Sequence, residues 1–344
     1  MNNLKNKFLW PFHYFRAFAI VNILIIHVWK LPPNSTSKQS TVFVDLIRES
    51  IFHSSSIYFM FISGFLFHYL TNKLQISKFF IGKFKNVLVP YIIINLTIII
   101  GQSLLGSKIN LDNLNFLFIL ETLVKGTASI QFWYIPFIVL IFLISPICFH
   151  LFNKKLPKYF PLIFLIPLLG TRTDIYITIG QYIYFFPIYL MGMYFSMNFS
   201  KLTVLISNYF KLLCVIALTS SLLLFYTVNK NLLFFDFFNL NESLFYLQKI
   251  SITFIFIYLS RNITSNRFPY LNIIANCSFS IFFTHILFNT YLKRVYFFID
   301  SYTIQFLKIP LSLIYVFCIL LINVLFCMVV KKILGKRSKY FIGY

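Results

Sequence analysis

Arg16 and His27 are ionisable residues inside a long apolar stretch near the N-terminus. An ionisable side chain in such a stretch is costly to bury and usually serves a function. The two residues are 11 positions apart. In an α-helix this spacing is about three turns plus about 20°, and about 16 Å along the axis. Both side chains are therefore predicted to lie on one face of one helix. A guanidinium binds phosphate well, and an imidazole suits general-base catalysis.

Each residue also has a structural interpretation. Arg16 alone could extend towards lipid headgroups at the inner membrane surface, as long basic side chains do. His27 alone could pack at the outer interface near Trp29. The shared face at this separation favours a function for the pair.

Further polar residues interrupt other apolar segments. Lys83 and Lys85 precede the third segment, where they could contact phosphate groups or merely anionic lipid headgroups. His285 lies about 21 Å along the ninth segment from Leu271, a depth similar to that of His27. The two histidines could share a cavity, or His285 could simply bond to a helix carbonyl.

Small and aromatic residues mark two more segments. Ser63 and Gly64 lie within the second segment, where small residues let another backbone approach closely. Trp133 and Tyr134 open the fourth segment, as an interfacial aromatic belt would. We take Ser63, Trp133, Tyr134 and His285 as candidate substrate-binding residues.

Five other polar residues are given no functional role. Lys249 is predicted near the outer end of the eighth segment, with its amine extended to the membrane surface. Four histidines near predicted helix ends are explained by interfacial placement: His13, His53, His68 and His150.

The composition determines which elements position these residues. Of the 344 residues, 59% are hydrophobic and only 11% are charged, against about 25% charged in a soluble domain. The net charge of +22 would suggest nucleic acid in a soluble protein. Here the basic residues lie between apolar runs, so we interpret them as a topology signal and expect no nucleic-acid partner.

The five cysteines all lie in apolar runs and form no C-x-x-C pair. They are expected to be small buried hydrophobic residues, with neither a disulfide framework nor a metal site.

Ten segments have the length and composition of membrane-spanning helices, which need about 20 mostly apolar residues. The fifth is short, contains Pro161 and Pro167, and could be re-entrant. The fold class is therefore predicted as all-α, a polytopic integral membrane protein with about ten helices in a single domain, residues 1–344. The predicted segments are 10–29, 51–70, 87–105, 130–149, 159–169, 177–195, 212–228, 244–259, 271–291 and 309–330.

The charges predict ten spans with both termini in the cytoplasm, since basic residues concentrate on the inner side. If segment 159–169 did not span, the basic C-terminal tail would move outside. With all ten segments spanning, the inner loops and tails hold most of the basic residues: Lys5, Lys7, Lys73, Lys78, Lys83, Lys85, Lys154, Lys155, Lys158, Lys201, Lys211, Arg261, Arg267, Lys331, Lys332, Lys336, Arg337 and Lys339. All eight acidic residues fall in outer loops: Asp45, Glu49, Asp112, Glu121, Asp174, Asp236, Glu242 and Asp300.

Together these landmarks resemble acyltransferase family 3, a family of membrane-bound O-acyltransferases with about ten helices. The resemblance covers essentially the whole chain. Its Arg-x10-His motif is present as Arg16 and His27. Four further stretches match in order: Phe-Ile-Ser-Gly-Phe at 61–65, Val-Pro-Tyr at 89–91, Phe-Trp-Tyr-Ile-Pro at 132–136, and 280–285, which ends at His285.

The chain departs from the family pattern in two ways. Family members often have arginine where this sequence has Lys83 and Lys85. Some members also carry a C-terminal extracytoplasmic hydrolase-like domain. We expect none here, because the sequence ends at Tyr344, directly after the tenth segment.

The resemblance implies transfer of a short acyl group, usually acetyl, from cytosolic acyl-coenzyme A to a hydroxyl of a cell-surface or lipid-linked carbohydrate. Arg16, with Lys83 and Lys85, would hold coenzyme A phosphate. The pantetheine arm would carry the thioester towards His27, which would act as general base or accept the acyl group transiently. Which carboxylate orients His27 is left open among Asp45, Glu49 and Glu121.

Two other functions suit the same features. A membrane transporter, such as a polysaccharide or glycan exporter, would also need polar residues within its helices, but transporters commonly contain internal repeats that this sequence lacks on inspection. A non-catalytic partner of a glycan synthase would need neither Arg16 nor His27. We expect a multi-pass protein of the plasma membrane, in contact with the lipid bilayer and with possible glycan synthase or export partners. Abundant Lys, Asn, Ile and Phe suggest a bacterial origin.

Overall fold

Helices make up nearly all of the described chain. A computed structural model describes residues 9–32, 37–71, 76–104, 115–154, 160–171, 177–230, 233–235 and 238–344. The helices are α1 Trp10–Val28, α2 Lys38–Phe52, α3 Ser56–Thr71, α4 Ile76–Lys83, α5 Val89–Leu104, α6 Phe116–Lys125, α7 Tyr134–Lys154, α8 Phe160–Ile163, α9 Ile179–Met197, α10 Phe199–Asn208, α11 Phe210–Thr227, α12 Leu240–Ser260, α13 Pro269–Ser301, α14 Lys308–Leu334 and α15 Ser338–Phe341.

Shorter elements join some of these helices. A π-helical turn, Phe84–Leu88, connects α4 to α5. Two short antiparallel strands, β1 Leu233–Phe235 and β2 Phe238–Asn239, precede α12. Three 3₁₀ turns complete the described elements: Ile166–Leu169, Gln305–Leu307 and Gly335–Arg337.

Within the described residues, eight stretches are long and apolar enough to cross a membrane. They coincide with eight of the ten predicted segments, which confirms an all-α polytopic membrane protein. They contain α1, α2–α3, α4–α5, α7, α11, α12, α13 and α14. The predicted segment 177–195 forms α9, a 19-residue helix whose glutamine and tyrosines lower its mean hydropathy.

The described part of the predicted segment 159–169 is broken rather than continuous. It consists of the four-residue α8 and a 3₁₀ turn, because Pro161 and Pro167 lack the backbone N–H that a longer helix would use. The hydroxyl of Ser243 donates to the Leu168 carbonyl at 2.6 Å, and that of Tyr246 to the Phe164 carbonyl at 2.8 Å. Irregular backbone at membrane depth is tolerated when other protein groups satisfy it in this way.

Two glycines bring α3 and α9 into close contact. A Cβ at Gly64 would overlap the backbone of Tyr189, and a Cβ at Gly192 would overlap the backbone of Phe61. The close approach predicted from Ser63 and Gly64 is therefore present, and its partner is α9.

Several charged residues used to predict the topology lie outside the described residues. The placement of both termini in the cytoplasm therefore stays a prediction. These charges are Lys5, Lys7, Lys73, Asp112, Lys155, Lys158, Asp174 and Asp236.

Candidate functional site

Arg16 and His27 both reach α13, the helix that packs beside α1. A guanidinium nitrogen of Arg16 donates to the Ser278 hydroxyl at 2.9 Å. The rings of His27 and His285 lie 5.5 Å apart, centre to centre. Ser278 and His285 are two helical turns apart on α13. Along the chain, Ser278 beside Arg16 therefore comes before His285 beside His27, in the same order as their partners on α1.

Lys83 lies near Arg16 at the predicted inner end of the bundle, and Lys85 does not. The Lys83 amine is within electrostatic range of Arg16. It lies 4.1 Å from the centre of the Phe142 ring, a cation–π contact. Lys85 is exposed on the π-helical turn. The structure therefore joins one of the two predicted lysines to Arg16.

His27 opens into a cavity of about 370 Å³ towards the predicted outer side. Its walls come from α1, the turn between α2 and α3, the start of α7, α9, α12 and α13. Apolar, aromatic and hydrogen-bonding side chains line it together, as in small-molecule sites. The lining residues are Ile23, Ile26, His27, His53, Ser54, Ser55, Ser56, Phe59, Ile130, Gln131, Trp133, Tyr134, Gln181, Glu242 and Phe282.

His285 is fully buried behind His27, and its hydrogen bond fixes its tautomer. Its Nδ1 lies 2.8 Å from the Ile281 carbonyl oxygen, which can only accept. Nδ1 therefore carries the proton, and Nε2 of the neutral ring is an acceptor. No group in the described chain bonds to Nε2. His285 thus bonds to a helix carbonyl and lies beside His27, but it is not among the residues that line the cavity.

The candidates Trp133, Tyr134 and Ser63 meet at this cavity. Trp133 and Tyr134 line it directly. Ser63, on α3, shares a hydrogen bond with the Tyr134 hydroxyl. The Trp133 ring packs 5.6 Å from the Phe185 ring of α9. The start of α7 is thus held between α3 and α9 at the cavity wall.

Comparison with known protein families shows the family to which the chain belongs. The model of a family described as an acyltransferase domain matches residues 12–332, nearly the whole chain. The chain belongs to acyltransferase family 3. No curated protein and no solved structure matches it significantly. The protein is therefore a membrane acyltransferase, and the transporter alternative is not supported.

Sequence reasoning missed several cavity residues of this acyltransferase. His53 was assigned to the interface, but it lines the cavity, with its Nδ1 2.9 Å from Glu49 Oε2. The Glu-x-x-x-His spacing at the end of α2 could have indicated this pair, because residues four apart share a helix face. Glu242, Gln131 and Gln181 also line the cavity, and little in their local sequence distinguishes them from ordinary helix-end residues.

Two of the other histidines are buried or partly buried rather than simply interfacial. His13 is only 7% exposed, and its Nε2 lies 2.8 Å from the Asn272 side-chain oxygen on α13. His68 is half-buried with its Nδ1 3.0 Å from the Ser196 hydroxyl. His150 is exposed on α7.

The three carboxylates proposed to orient His27 have different positions in the acyltransferase. Glu49 is within electrostatic range of His27. Asp45 pairs with Arg48 at 2.7 Å, and exposed Glu121 pairs with Lys125. Among the described residues, none of the three hydrogen-bonds to the His27 ring.

Lys30, on the loop after α1, is a nearby cation whose amine has a lowered pKa, chiefly through partial burial and then repulsion by Arg48.

Lys249 does not extend to the membrane surface, so that prediction was wrong. Its side chain is fully buried in α12. The amine donates to the Ile51 carbonyl near the end of α2 and lies 5.7 Å from the centre of the Tyr58 ring. The carbonyl groups at a helix C-terminus lack partners within the helix and attract a cation, which explains why the amine turns inward.

Proposed function

We propose that this acyltransferase moves a short acyl group, acetyl, from cytosolic acyl-coenzyme A to a hydroxyl of a cell-surface or lipid-linked carbohydrate. The observation that carries the proposal is the pairing of two sites along α1 and α13. A cationic site, Arg16 with Lys83, lies about 16 Å along the helix from the histidine-lined cavity at His27.

The cationic site suits the phosphate groups of coenzyme A. Arg16 presents a planar donor group and Lys83 adds a second charge close by. The length of the pantetheine arm is of the same order as the distance along α1 between Arg16 and His27. A thioester whose phosphate groups bind at Arg16 would therefore lie near His27. Lys85, which is exposed, would attract the donor only by charge at longer range.

The outer cavity suits a carbohydrate acceptor. Gln131, Gln181 and three consecutive serines, 54–56, offer hydrogen bonds to hydroxyl groups, and Trp133 offers a flat apolar surface. Neutral His285 lies behind His27 rather than in the cavity wall, and its Nε2 can only accept, so it could bind an acceptor hydroxyl but could not polarise the thioester carbonyl. Tyr134, held by Ser63, contributes a further polar group.

His27 is the residue on which transfer would depend. It would either remove the proton from the acceptor hydroxyl or carry the acyl group transiently on its imidazole. The products are the acylated carbohydrate and free coenzyme A. We also propose a bacterial plasma membrane as its location, with glycan synthase or export proteins as partners.

The proposal is tested with purified wild type and His27→Ala in detergent, each incubated with radiolabelled acetyl-coenzyme A and a crude surface-glycan fraction. Label transfer by wild type is expected, with a loss of about 10²- to 10⁴-fold in His27→Ala. His150→Ala is the matched control, since His150 is exposed on α7 and outside the cavity.

Equal transfer by wild type and His27→Ala would contradict the role of His27. Failure of wild type to bind coenzyme A would contradict the proposed donor. Binding of coenzyme A without label transfer to the glycan fraction would contradict the proposed acceptor.

A further inference from the structure

His53 lies in the same cavity as His27 and is held in a defined orientation. It follows α2 at the turn into α3, and its side chain is 34% exposed. Its ring lies 4.8 Å from the Phe245 ring of α12, with 31° between the planes. This contact fixes the plane of the imidazole at the cavity wall.

A carboxylate fixes the tautomer of His53. Nδ1 lies 2.9 Å from Glu49 Oε2, and a carboxylate oxygen accepts the proton that Nδ1 carries. In the neutral ring Nε2 is therefore the basic nitrogen. The other oxygen of Glu49 accepts from Arg48 at 2.8 Å, and Arg48 is only 6% exposed. Glu49 is held from both sides, so it positions His53.

The end of α2 is itself anchored to α12. The Gln248 amide donates to the Ser50 carbonyl at 2.9 Å, and the Lys249 amine donates to the Ile51 carbonyl. His53 is two residues further along the chain. Its imidazole is therefore attached to a fixed helix end rather than to a free loop.

The three histidines of the cavity region differ in their partners. His285 is fully buried and bonds to a backbone carbonyl. Neither it nor His27 hydrogen-bonds to a carboxylate in the described parts of the chain, whereas His53 does. A base oriented by a carboxylate is the arrangement that fixes the tautomer and stabilises the imidazolium formed on proton transfer.

We propose that His53 is the general base that removes the proton from the acceptor hydroxyl, and that Glu49 is its positioning residue. The inference rests on the proposed function. The hydroxyl proton passes to His53 Nε2, the hydroxyl oxygen bonds to the acyl carbon, and the carbon–sulfur bond breaks. The thiolate leaves and takes up a proton from solvent, while His53 releases one to solvent. If His27 first carries the acyl group, its imidazole attacks the thioester and the carbon–sulfur bond breaks at that stage. The hydroxyl oxygen then bonds to the acyl carbon, its proton passes to His53 in the same way, and the carbon–nitrogen bond to His27 breaks to release the neutral imidazole.

The test compares purified wild type, His53→Ala and Glu49→Gln, with His150→Ala as control. Acetyl-coenzyme A binding and label transfer to the glycan fraction are measured separately. We expect His53→Ala to lower kcat about 10²- to 10⁴-fold with unchanged donor binding. Added imidazole should restore part of the rate, which it would not do for a purely structural role. Isosteric Glu49→Gln should cause a smaller loss of kcat, and it tests the pair even if His53→Ala does not fold.

Wild-type transfer rates in both His53→Ala and Glu49→Gln would overturn this inference and leave the proposed function standing. A loss in His53→Ala that imidazole does not relieve, together with weaker donor binding, would also overturn it. Absence of transfer by wild type would overturn the proposed function, and this inference with it.

Discussion

At the scale of single residues, the cationic site near α1 consists of a neighbouring pair rather than a diffuse basic patch. Arg16 and Lys83 lie within electrostatic range of one another, and like charges are kept close only at a cost. An anion between them would relieve that repulsion. Lys85, two residues further along, is exposed and takes no part in this pair.

This arrangement predicts different effects for the two lysines. Lys83→Met should weaken acetyl-coenzyme A binding by about 10- to 100-fold, since a hydrogen bond to a charged group contributes about 1.5–3 kcal/mol. Lys85→Met should change binding less than about threefold. Equilibrium binding of labelled donor to the purified variants measures both, and equal effects would argue for a general electrostatic contribution.

At the scale of elements, the α3–α9 crossing depends on two glycines. Replacing Gly192 by Leu would force a side chain into the Phe61 backbone, so α3 and α9 would have to separate. We expect a loss of several kcal/mol in the free energy of unfolding, or failure to fold. The matched control is Gly82→Ala in α4, where a Cβ meets nothing within 4 Å. It should be neutral or stabilising by up to about 1 kcal/mol. Thermal unfolding in detergent compares the two.

The contact between α12 and α2 gives a second prediction at this scale. Lys249→Met keeps the length of the side chain and removes a buried charge that no carboxylate pairs with in the described chain. The midpoint of thermal unfolding should stay the same or rise, because burying a charge is unfavourable. The transfer rate should fall, because the end of α2 carrying Glu49 and His53 loses its anchor. A fall in both quantities would instead indicate a general folding role for Lys249.

At the scale of the whole molecule, the proposed reaction requires the two ends of the bundle to face opposite sides of the membrane. Exposed Glu121 is predicted on the outer side and exposed Lys201 on the inner side. In intact cells, a membrane-impermeant maleimide should label Glu121→Cys. It should label Lys201→Cys only after permeabilisation.

The wild-type protein, with its five native cysteines, gives the labelling background for this experiment. Its described cysteines are free, and most are buried or partly buried. The reverse labelling pattern would contradict the predicted orientation, and with it cytosolic access of the donor to Arg16.

The sequence by itself determined the class of the protein, most of its helices and the central pair of the candidate site. The composition alone shows too few charged residues for a water-exposed surface, and the length of the apolar segments alone marks the spanning helices. The common face of Arg16 and His27 follows from helix periodicity, which is local. The break at segment 159–169 was also signalled locally, by its two prolines.

The tertiary structure decided which residues from distant parts of the chain meet. Arg16 and Ser278 are 262 positions apart, and Lys249 and Ile51 are 198 apart. No local pattern specifies such neighbours, because many helices with similar apolar faces could pack beside one another in a membrane. For this reason His53 was assigned to the interface and Lys249 to the membrane surface from sequence. Helix packing instead brings His53 into the cavity and turns Lys249 towards unsatisfied carbonyl groups at the end of α2.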